Sequence, residues 1–246
     1  MTIYANGTYL ARNPDWHSED SEWKAAHLWS LLDSQTRAEM KRRVVRVVEV
    51  GCGYGGVLAG FCARLRAHGV TCIATGYDIS PHAVSEAARQ HPDIQFLCQD
   101  FLKTAENYYV GLLVDLLEHL DDPALFLRCS RQRFRLLLVH LPLDENWYGK
   151  ALYPGRYYEY LREERGHVHY FTKAMAFRLL ASAGLRLARW KYTPWGLERY
   201  ESGGGRSAPV VRMLRSVGMS VCPDLTVRVL GGASLACLCH TGWPGR

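Results

Sequence analysis

The chain has 246 residues, of which 48% are hydrophobic, and a formal net charge of +6. This length and composition predict one domain with insertions, and the apolar runs are too short to span a bilayer. The first residues lack a basic and apolar leader, and the eight cysteines form no Cys-x-x-Cys pair, so a cytoplasmic protein with reduced thiols is expected. The basic clusters precede apolar strands and are typical of a solvated rim, so no nucleic-acid partner is expected.

Residues 1–43 form an aromatic and polar arm before the first predicted strand. The arm is expected either to pack on the core or to close as a lid over a bound cation, which aromatic faces attract. Apolar spacing over residues 23–40 predicts one amphipathic helix. The residues singled out in the arm are Tyr4, Tyr9, Trp16, His17, Trp23 and Lys24.

The first predicted strand covers residues 44–50 and runs into a glycine-rich turn, after which residues 57–66 have helical spacing. A strand, a tight turn and a helix N-terminus form a nucleotide cradle. The glycine spacing fits both a dinucleotide and S-adenosylmethionine (SAM). Glu49 favours SAM, because a buried carboxylate needs a cation and SAM carries an α-ammonium group that NAD lacks.

Four further apolar segments follow, and helical segments alternate with them. This alternation indicates a doubly wound parallel sheet, an α/β fold whose ligand lies at the carboxyl ends of the strands. The predicted strands are residues 70–78, 94–98, 110–115 and 134–140.

Acidic residues stand at the ends of these strands. Asp78 lies 22 residues beyond Gly56, close to the spacing of about 20 residues expected for a carboxylate that binds a ribose diol. Asp100 and Phe101 suit an adenine site, where the acid accepts from the exocyclic amine and the ring covers one face. Asp115 ends the next strand.

In this order and spacing, the motifs resemble those of the class I SAM-dependent methyltransferases over about residues 45–195. Residues 49–55 are similar to the first motif of that family, and residues 115–119 (Asp-Leu-Leu-Glu-His) resemble a motif found after the fourth strand in many small-molecule methyltransferases. The resemblance implies SAM as cofactor and a seven-stranded Rossmann-like sheet, mostly parallel with a final antiparallel strand. Residues 225–229 and 234–239 are candidates for the last hairpin. The residues expected to bind the cofactor are Glu49, Gly51, Cys52, Gly53, Gly55, Asp78, Ile79, Asp100, Phe101, Asp115 and Leu116.

Residues 44–246 are expected to form the SAM-binding domain, with aromatic lid insertions at residues 142–171 and 196–224 that select the acceptor. An oxygen or nitrogen acceptor must lose a proton. His119, beside Glu118, is the first candidate base, with His140, Asp144 and His169 as alternatives.

These histidines and His167 raise the question of a metal site. Neither a carboxylate nor a cysteine accompanies them at a recognisable metal spacing, so no metal is expected.

Three functions remain open at this level. The first is methyl transfer to a small-molecule acceptor in secondary metabolism, by a monomer or homodimer without a membrane partner. The second is a SAM-consuming cyclase that forms azetidine-2-carboxylate and methylthioadenosine. The third is a nicotinamide-dependent oxidoreductase, which Glu49 and the absence of a Tyr-x-x-x-Lys pair disfavour.

Overall fold

The computed structural model describes residues 18–198 and 209–243 and contains one seven-stranded sheet with the order β3-β2-β1-β4-β5-β7-β6. Strands β1 to β5 are parallel to their neighbours, whereas β7 runs antiparallel to β5 and β6. The predicted doubly wound, mostly parallel fold with a final antiparallel strand is therefore confirmed. The strands are β1 (Val45–Val50), β2 (Cys72–Asp78), β3 (Gln95–Cys98), β4 (Tyr108–Val114), β5 (Phe134–Pro142), β6 (Arg186–Thr193) and β7 (Ser234–His240).

Helices cover both faces of this sheet. Within the described residues, no helix combines the length and the apolar character needed to cross a membrane. The helices are α1 (Ser21–Ser30), α2 (Ser34–Met40), α3 (Gly56–Ala67), α4 (Pro81–Gln90), α5 (Pro123–Ser130), α6 (Trp147–Leu152), α7 (Tyr157–Arg165), α8 (Lys173–Ser182), α9 (Trp195–Glu198), α10 (Pro209–Val221) and α11 (Pro223–Leu230).

The core has two parts, one on each face of the sheet. Leu28 of α1 and Phe61 of α3 are fully buried against one face. Leu127 of α5 and Leu180 of α8 are buried against the other face. Because parallel strands are buried on both faces, every residue of β4 is buried. The carboxyl end of β4 is thus held in place by packing on two sides.

The N-terminal segment differs from the predicted single helix over residues 23–40, which is wrong. The chain forms α1 and α2 instead, because Asp33 adopts an extended conformation and accepts a hydrogen bond from the Thr36 N–H (2.7 Å) as the cap of α2. Helix α1 packs against α3 and buries Ala25, so this part of the arm belongs to the core. Tyr4, Tyr9, Trp16 and His17 lie outside the described residues.

The predicted last hairpin is also partly wrong. Residues 225–229 lie in α11, which begins with Pro223 in its first turn and buries Thr226 and Val227 on one face. Residues 234–239 do lie in the predicted strand, β7. Its other neighbour is β6, whose Thr193 pairs with Ser234.

The two predicted insertions are largely helical where the structure describes them. Residues 142–171 contain α6 and α7, and Tyr153 stacks on Tyr160 with ring centroids 4.3 Å apart. Residues 196–224 contain α10, while residues 199–208 lie outside the described part.

The eight cysteines are free thiols. Cys62, Cys237 and Cys239 fill the core as expected, whereas Cys98 and Cys129 are exposed.

Gly111 in the centre of β4 provides a test of this packing. A Cβ atom at this position would lie 2.6 Å from Cδ1 of Phe134, so Gly111→Ala overpacks the core. We expect the substitution to lower the free energy of unfolding by about 1 to 3 kcal/mol in urea titrations. Phe134→Leu removes the obstructing ring, so the loss in the double variant should be smaller than the sum of the two single losses. Strictly additive losses would contradict this packing.

Candidate active site

The glycine turn joins β1 to α3 and brings the backbone close to its neighbours. Gly51, Gly53 and Gly55 all have positive φ, at 71°, 51° and 78°, which other residues rarely adopt. A Cβ atom at Gly51 would lie 2.9 Å from Cδ1 of Leu116, so the turn and the segment after β4 lie in contact. Cys52 between them is buried. The turn therefore lies beside the carboxyl ends of β1 and β4.

Glu49 lies at the end of β1 and is only 2% exposed. Its Oε2 accepts a hydrogen bond from the Leu58 N–H (2.9 Å), so the carboxyl group caps the N-terminus of α3. Burial raises the pKa of Glu49 to about 8, although the Leu58 bond and the nearby Lys24 charge act in the opposite direction. The site thus contains an acid that would be stabilised by a further cation.

Asp115 follows β4 and already binds an ammonium group. Lys24 of α1 places its Nζ 2.7 Å from Oδ2 of Asp115. The backbone of Asp115 has φ +48°, a strained conformation that is often found at functional sites. Partial burial would raise the pKa of Asp115, but the charges of Lys24 and His140 outweigh it and hold the pKa well below its usual range. The strand ends can therefore hold a cationic nitrogen.

Helix α1 is held over these strand ends by a second set of contacts. The Trp23 indole N–H donates to Oε2 of Glu198 (2.6 Å), and Nε2 of His27 lies 2.9 Å from the same oxygen. Trp23 also packs edge-on against the His140 ring. The predicted arm thus contributes both Lys24 and an aromatic ring to the site.

Asp78 lies at the end of β2, as predicted. Its two carboxylate oxygens accept hydrogen bonds from the Gly53 N–H (3.0 Å) and the Ser80 N–H (2.9 Å). Each oxygen keeps a second lone pair, so Asp78 can still accept from a hydroxyl. Ile79 beside it is exposed. Asp78 therefore joins the glycine turn to the end of β2.

The predicted adenine pair divides between surface and core. Asp100 is half-buried, and its Oδ1 accepts from the Leu102 N–H (2.9 Å). Phe101 differs from the expectation, because its ring is 2% exposed and stacks on Phe134 with centroids 5.5 Å apart. A ring that is buried in this cluster cannot cover a ligand without repacking the core. We therefore correct the predicted role of Phe101 to a core residue.

The three candidate histidines occupy different environments. His140 is buried, with Nδ1 2.7 Å from Oδ1 of Asp115 and Nε2 2.9 Å from Oγ1 of Thr193, so both of its ring nitrogens are engaged. The Nε2 of His169 lies 3.3 Å from the Asp121 carbonyl oxygen. The Nδ1 of His119 lies 3.0 Å from the Gly166 carbonyl oxygen.

Sequence reasoning missed a cluster around His119. Glu118, His119 and His167 each place a ligand-type atom within 4.8 Å of the other two. Glu118 is 0% exposed, and neither of its carboxylate oxygens has a hydrogen-bond partner in the described residues. His167 binds the Asp144 carboxylate. The histidines therefore do have carboxylates beside them, but the fold brings them together from positions distant in the sequence.

The chain was compared with protein-family models and with known proteins. A family model described as a methyltransferase domain matches residues 10–189. No curated protein matches the chain.

Solved structures match over most of the chain. A SAM-dependent methyltransferase from Mesorhizobium loti is 18% identical, with a TM-score of 0.55, and the match covers 89% of this chain and 97% of that one. A magnesium protoporphyrin IX methyltransferase from Synechocystis PCC 6803 with bound SAM is 14% identical, with a TM-score of 0.52 and coverages of 94% and 83%. A cyclopropane synthase from Mycobacterium tuberculosis is 14% identical, with a TM-score of 0.56 and coverages of 83% and 84%. At these identities the likeness concerns the fold.

The raised pKa of Glu49 predicts how stability depends on pH. The folded chain binds a proton at Glu49 more tightly than the unfolded chain, whose carboxyl has the ordinary pKa of 4.5. The contribution to stability is complete below pH 4.5 and is lost as pH rises through about 8, by at most about 5 kcal/mol. Urea unfolding of the wild type should show this decline, and Glu49→Gln, which keeps an acceptor for Leu58, should remove it. Parallel pH curves for the two proteins would contradict the shift.

Proposed function

Because the chain belongs to the class I SAM-dependent methyltransferases, we propose that it methylates an oxygen or nitrogen atom of a small-molecule acceptor. The observation that carries the proposal is the Lys24–Asp115 contact of 2.7 Å, which shows that the carboxyl ends of the strands stabilise an ammonium group. Buried Glu49 lies beside it as a second acid. The eight free thiols support a cytoplasmic enzyme. The proposal includes a role in secondary metabolism, as a monomer or homodimer.

The residues at the strand ends fit SAM group by group. Glu49 and Asp115 supply negative charge for its α-ammonium, and Lys24 supplies positive charge for its carboxylate. Asp78 keeps lone pairs for the ribose hydroxyls, and half-buried Asp100 can accept from the adenine amine. The glycine turn has three glycines with positive φ, and its Gly51 packs closely against Leu116 beside Asp115. We infer that these residues hold the cofactor.

When bound, SAM would supply a methyl group on a positively charged sulfur. The acceptor's lone pair would form the new bond to the methyl carbon, and the electron pair of the broken carbon–sulfur bond would return to sulfur. The chain's residues must orient the acceptor and take up its proton. Burial lowers the pKa of His119 to about 4, so its ring is neutral at pH 7. The Gly166 carbonyl oxygen accepts from its Nδ1–H, so the lone pair of the neutral ring is on Nε2. We propose that His119 acts at the acceptor through Nε2.

The other two candidate histidines have different proposed roles. His140 holds Asp115 and is a positioning residue, because neither of its ring nitrogens is available to the acceptor. His169 interacts with Asp121 and stays at the edge of the acceptor region. A small acceptor is supported by the enclosure of His119, whose neighbours Glu118 and His167 are both buried.

Cofactor binding can be tested with S-adenosylhomocysteine (SAH) by isothermal titration calorimetry. Asp78→Ala removes the charged acceptor proposed for the ribose hydroxyls, and the loss of such a hydrogen bond should weaken SAH binding by about 10- to 100-fold. Asp93→Ala removes an exposed acid that pairs with Arg66 and should leave the affinity unchanged. Equal affinities of both variants and the wild type would rule out this role for Asp78. NAD should give no heat of binding.

Product analysis separates methyl transfer from cyclisation. The protein is incubated with SAM alone and with a panel of hydroxylated and aminated small molecules, and the nucleoside products are separated by chromatography. We expect SAH, formed only when an acceptor is present. Methylthioadenosine formed without an acceptor would instead identify the cyclase activity, in which the amino acid moiety of SAM reacts.

A further inference from the structure

We propose that Glu118, His119 and His167 bind one divalent first-row transition-metal ion next to the cofactor site. A ligand-type atom of each residue lies within 4.8 Å of the other two, and Glu118 and His167 are buried. The proposal that the ion binds depends on these three residues and not on the function proposed above. Its use in catalysis rests on the function proposed above.

Two chain segments, joined by backbone hydrogen bonds, form the cluster. Leu117–His119 is a single turn of 3-10 helix that follows β4. Residues 166–169 follow α7, and the backbone N–H groups of Val168 and His169 both donate to the Glu118 carbonyl oxygen, at 2.9 and 3.1 Å. These backbone bonds fix the position of Glu118 relative to His167. The cluster is therefore preorganised and does not depend on side chains alone.

The hydrogen bonds of the two histidines fix their tautomers. The Nδ1 of His119 lies 3.0 Å from the Gly166 carbonyl oxygen, which only accepts, so Nδ1 carries the proton. The Nδ1 of His167 lies 2.6 Å from Oδ2 of Asp144 and donates to that carboxylate. In each ring the lone pair is then on Nε2. Metal-binding histidines typically donate their other N–H to a carbonyl or carboxylate in this way.

Glu118 supplies the independent observation. Its side chain is completely buried, and both carboxylate oxygens lack a hydrogen-bond partner in the described part of the chain. The nearest polar atom of His119, Nε2, lies 4.0 Å from Oε1, beyond hydrogen-bond distance. Protonation would remove the charge but would leave an O–H group without an acceptor. A metal ion would satisfy both buried carboxylate oxygens of Glu118.

The donor set indicates the class of ion. Two imidazole nitrogens and one carboxylate suit Zn²⁺, Mn²⁺, Fe²⁺ or Co²⁺ better than Mg²⁺ or Ca²⁺, which prefer oxygen ligands. Three protein ligands also leave at least one coordination position for another molecule, as in catalytic metal sites. Asp144 acts as a positioning residue, because it orients His167 from the side opposite the ion.

The open position gives the proposed methyltransferase an acceptor class. A divalent ion lowers the pKa of a bound hydroxyl group, so the ion would favour acceptors with an alcohol or phenol oxygen. With the ion bound, Nε2 of His119 would act on the acceptor through the ion, and the proton of the coordinated hydroxyl group would pass to solvent. Asp115 stands three residues before Glu118 in the same segment, and Leu116 between them packs against Gly51 of the glycine turn, which places the cluster beside the proposed cofactor site.

Binding is tested on the untagged full-length protein after treatment with EDTA. Co²⁺ serves as the spectroscopic probe, and Zn²⁺ is titrated in competition; total metal is measured by mass spectrometry. We expect one Co²⁺ per chain, with a visible absorption band that Zn²⁺ removes. SAH affinity of the metal-free protein is measured in parallel, so that failure of metal binding is distinguishable from failure of the proposed function.

Four variants locate the ion. Glu118→Gln and His167→Gln keep side-chain size and should reduce Co²⁺ affinity by at least about 100-fold, since each removes a direct ligand. Asp144→Asn should reduce the affinity by about 10- to 100-fold and change the Co²⁺ absorption, because His167 loses its fixed tautomer. His169→Gln is the matched control, two residues from His167 in the same segment, and should bind like the wild type. Circular dichroism of each metal-free variant checks folding.

The outcomes are decisive in either direction. Stoichiometric binding that Glu118→Gln and His167→Gln abolish, but His169→Gln does not, supports the site. Absence of stoichiometric binding by the wild type, or equal binding by Glu118→Gln, overturns it. If the wild type binds no metal and the Glu118→Gln variant is more stable than the wild type, Glu118 is a buried, protonated acid.

Discussion

The ion pair between Lys24 and Asp115 is the contact on which the cofactor end of the sheet depends. Lys24 extends from α1, and Asp115 follows β4, so the 2.7 Å contact joins the N-terminal segment to the end of a buried strand. His140 of β5 binds the other oxygen of Asp115, so one carboxylate links a helix and two strands. Removing Lys24 would take away the ammonium group that compensates this partly buried charge, which is costly. The described part of the predicted arm is therefore a structural part of the site.

Two of the acids at this end of the sheet, Glu49 and Asp115, have opposite pKa shifts. Burial raises the pKa of Glu49, whereas the charges of Lys24 and His140 lower that of Asp115 despite its partial burial. Near neutral pH, Asp115 is therefore ionised and balanced by Lys24, while a large share of Glu49 carries a proton. A ligand with an ammonium group would ionise Glu49, so two acids of the same type serve different purposes.

The sequence could predict features that depend on local pattern. Alternating apolar segments located the strands, and the acid at each strand end placed Glu49, Asp78 and Asp115 at one edge of the sheet. The pattern failed where tertiary contacts decide. Residues 225–229 form a helix that buries Val227 in the core, while β6 takes the place beside β7 that the predicted hairpin would have filled. Phe101 stands at a strand end like the acids, but neighbouring rings draw it into the core.

The cluster around Glu118 was beyond sequence reasoning for a different reason. Spacing identifies metal ligands only when they lie close along the chain, and His167 lies 48 positions after His119. The two histidines are brought together by the end of α7 and by two backbone hydrogen bonds to Glu118. Residues 115–119 carry both Asp115 and this cluster, so the ligands proposed for cofactor and acceptor are joined by a few bonds of one chain segment. That segment follows a strand whose residues are all buried. The buried strand therefore fixes the distance between Asp115 and Glu118, on which the two proposed sites depend, while residues 142–171 contribute His167 and Asp144 to the second of them.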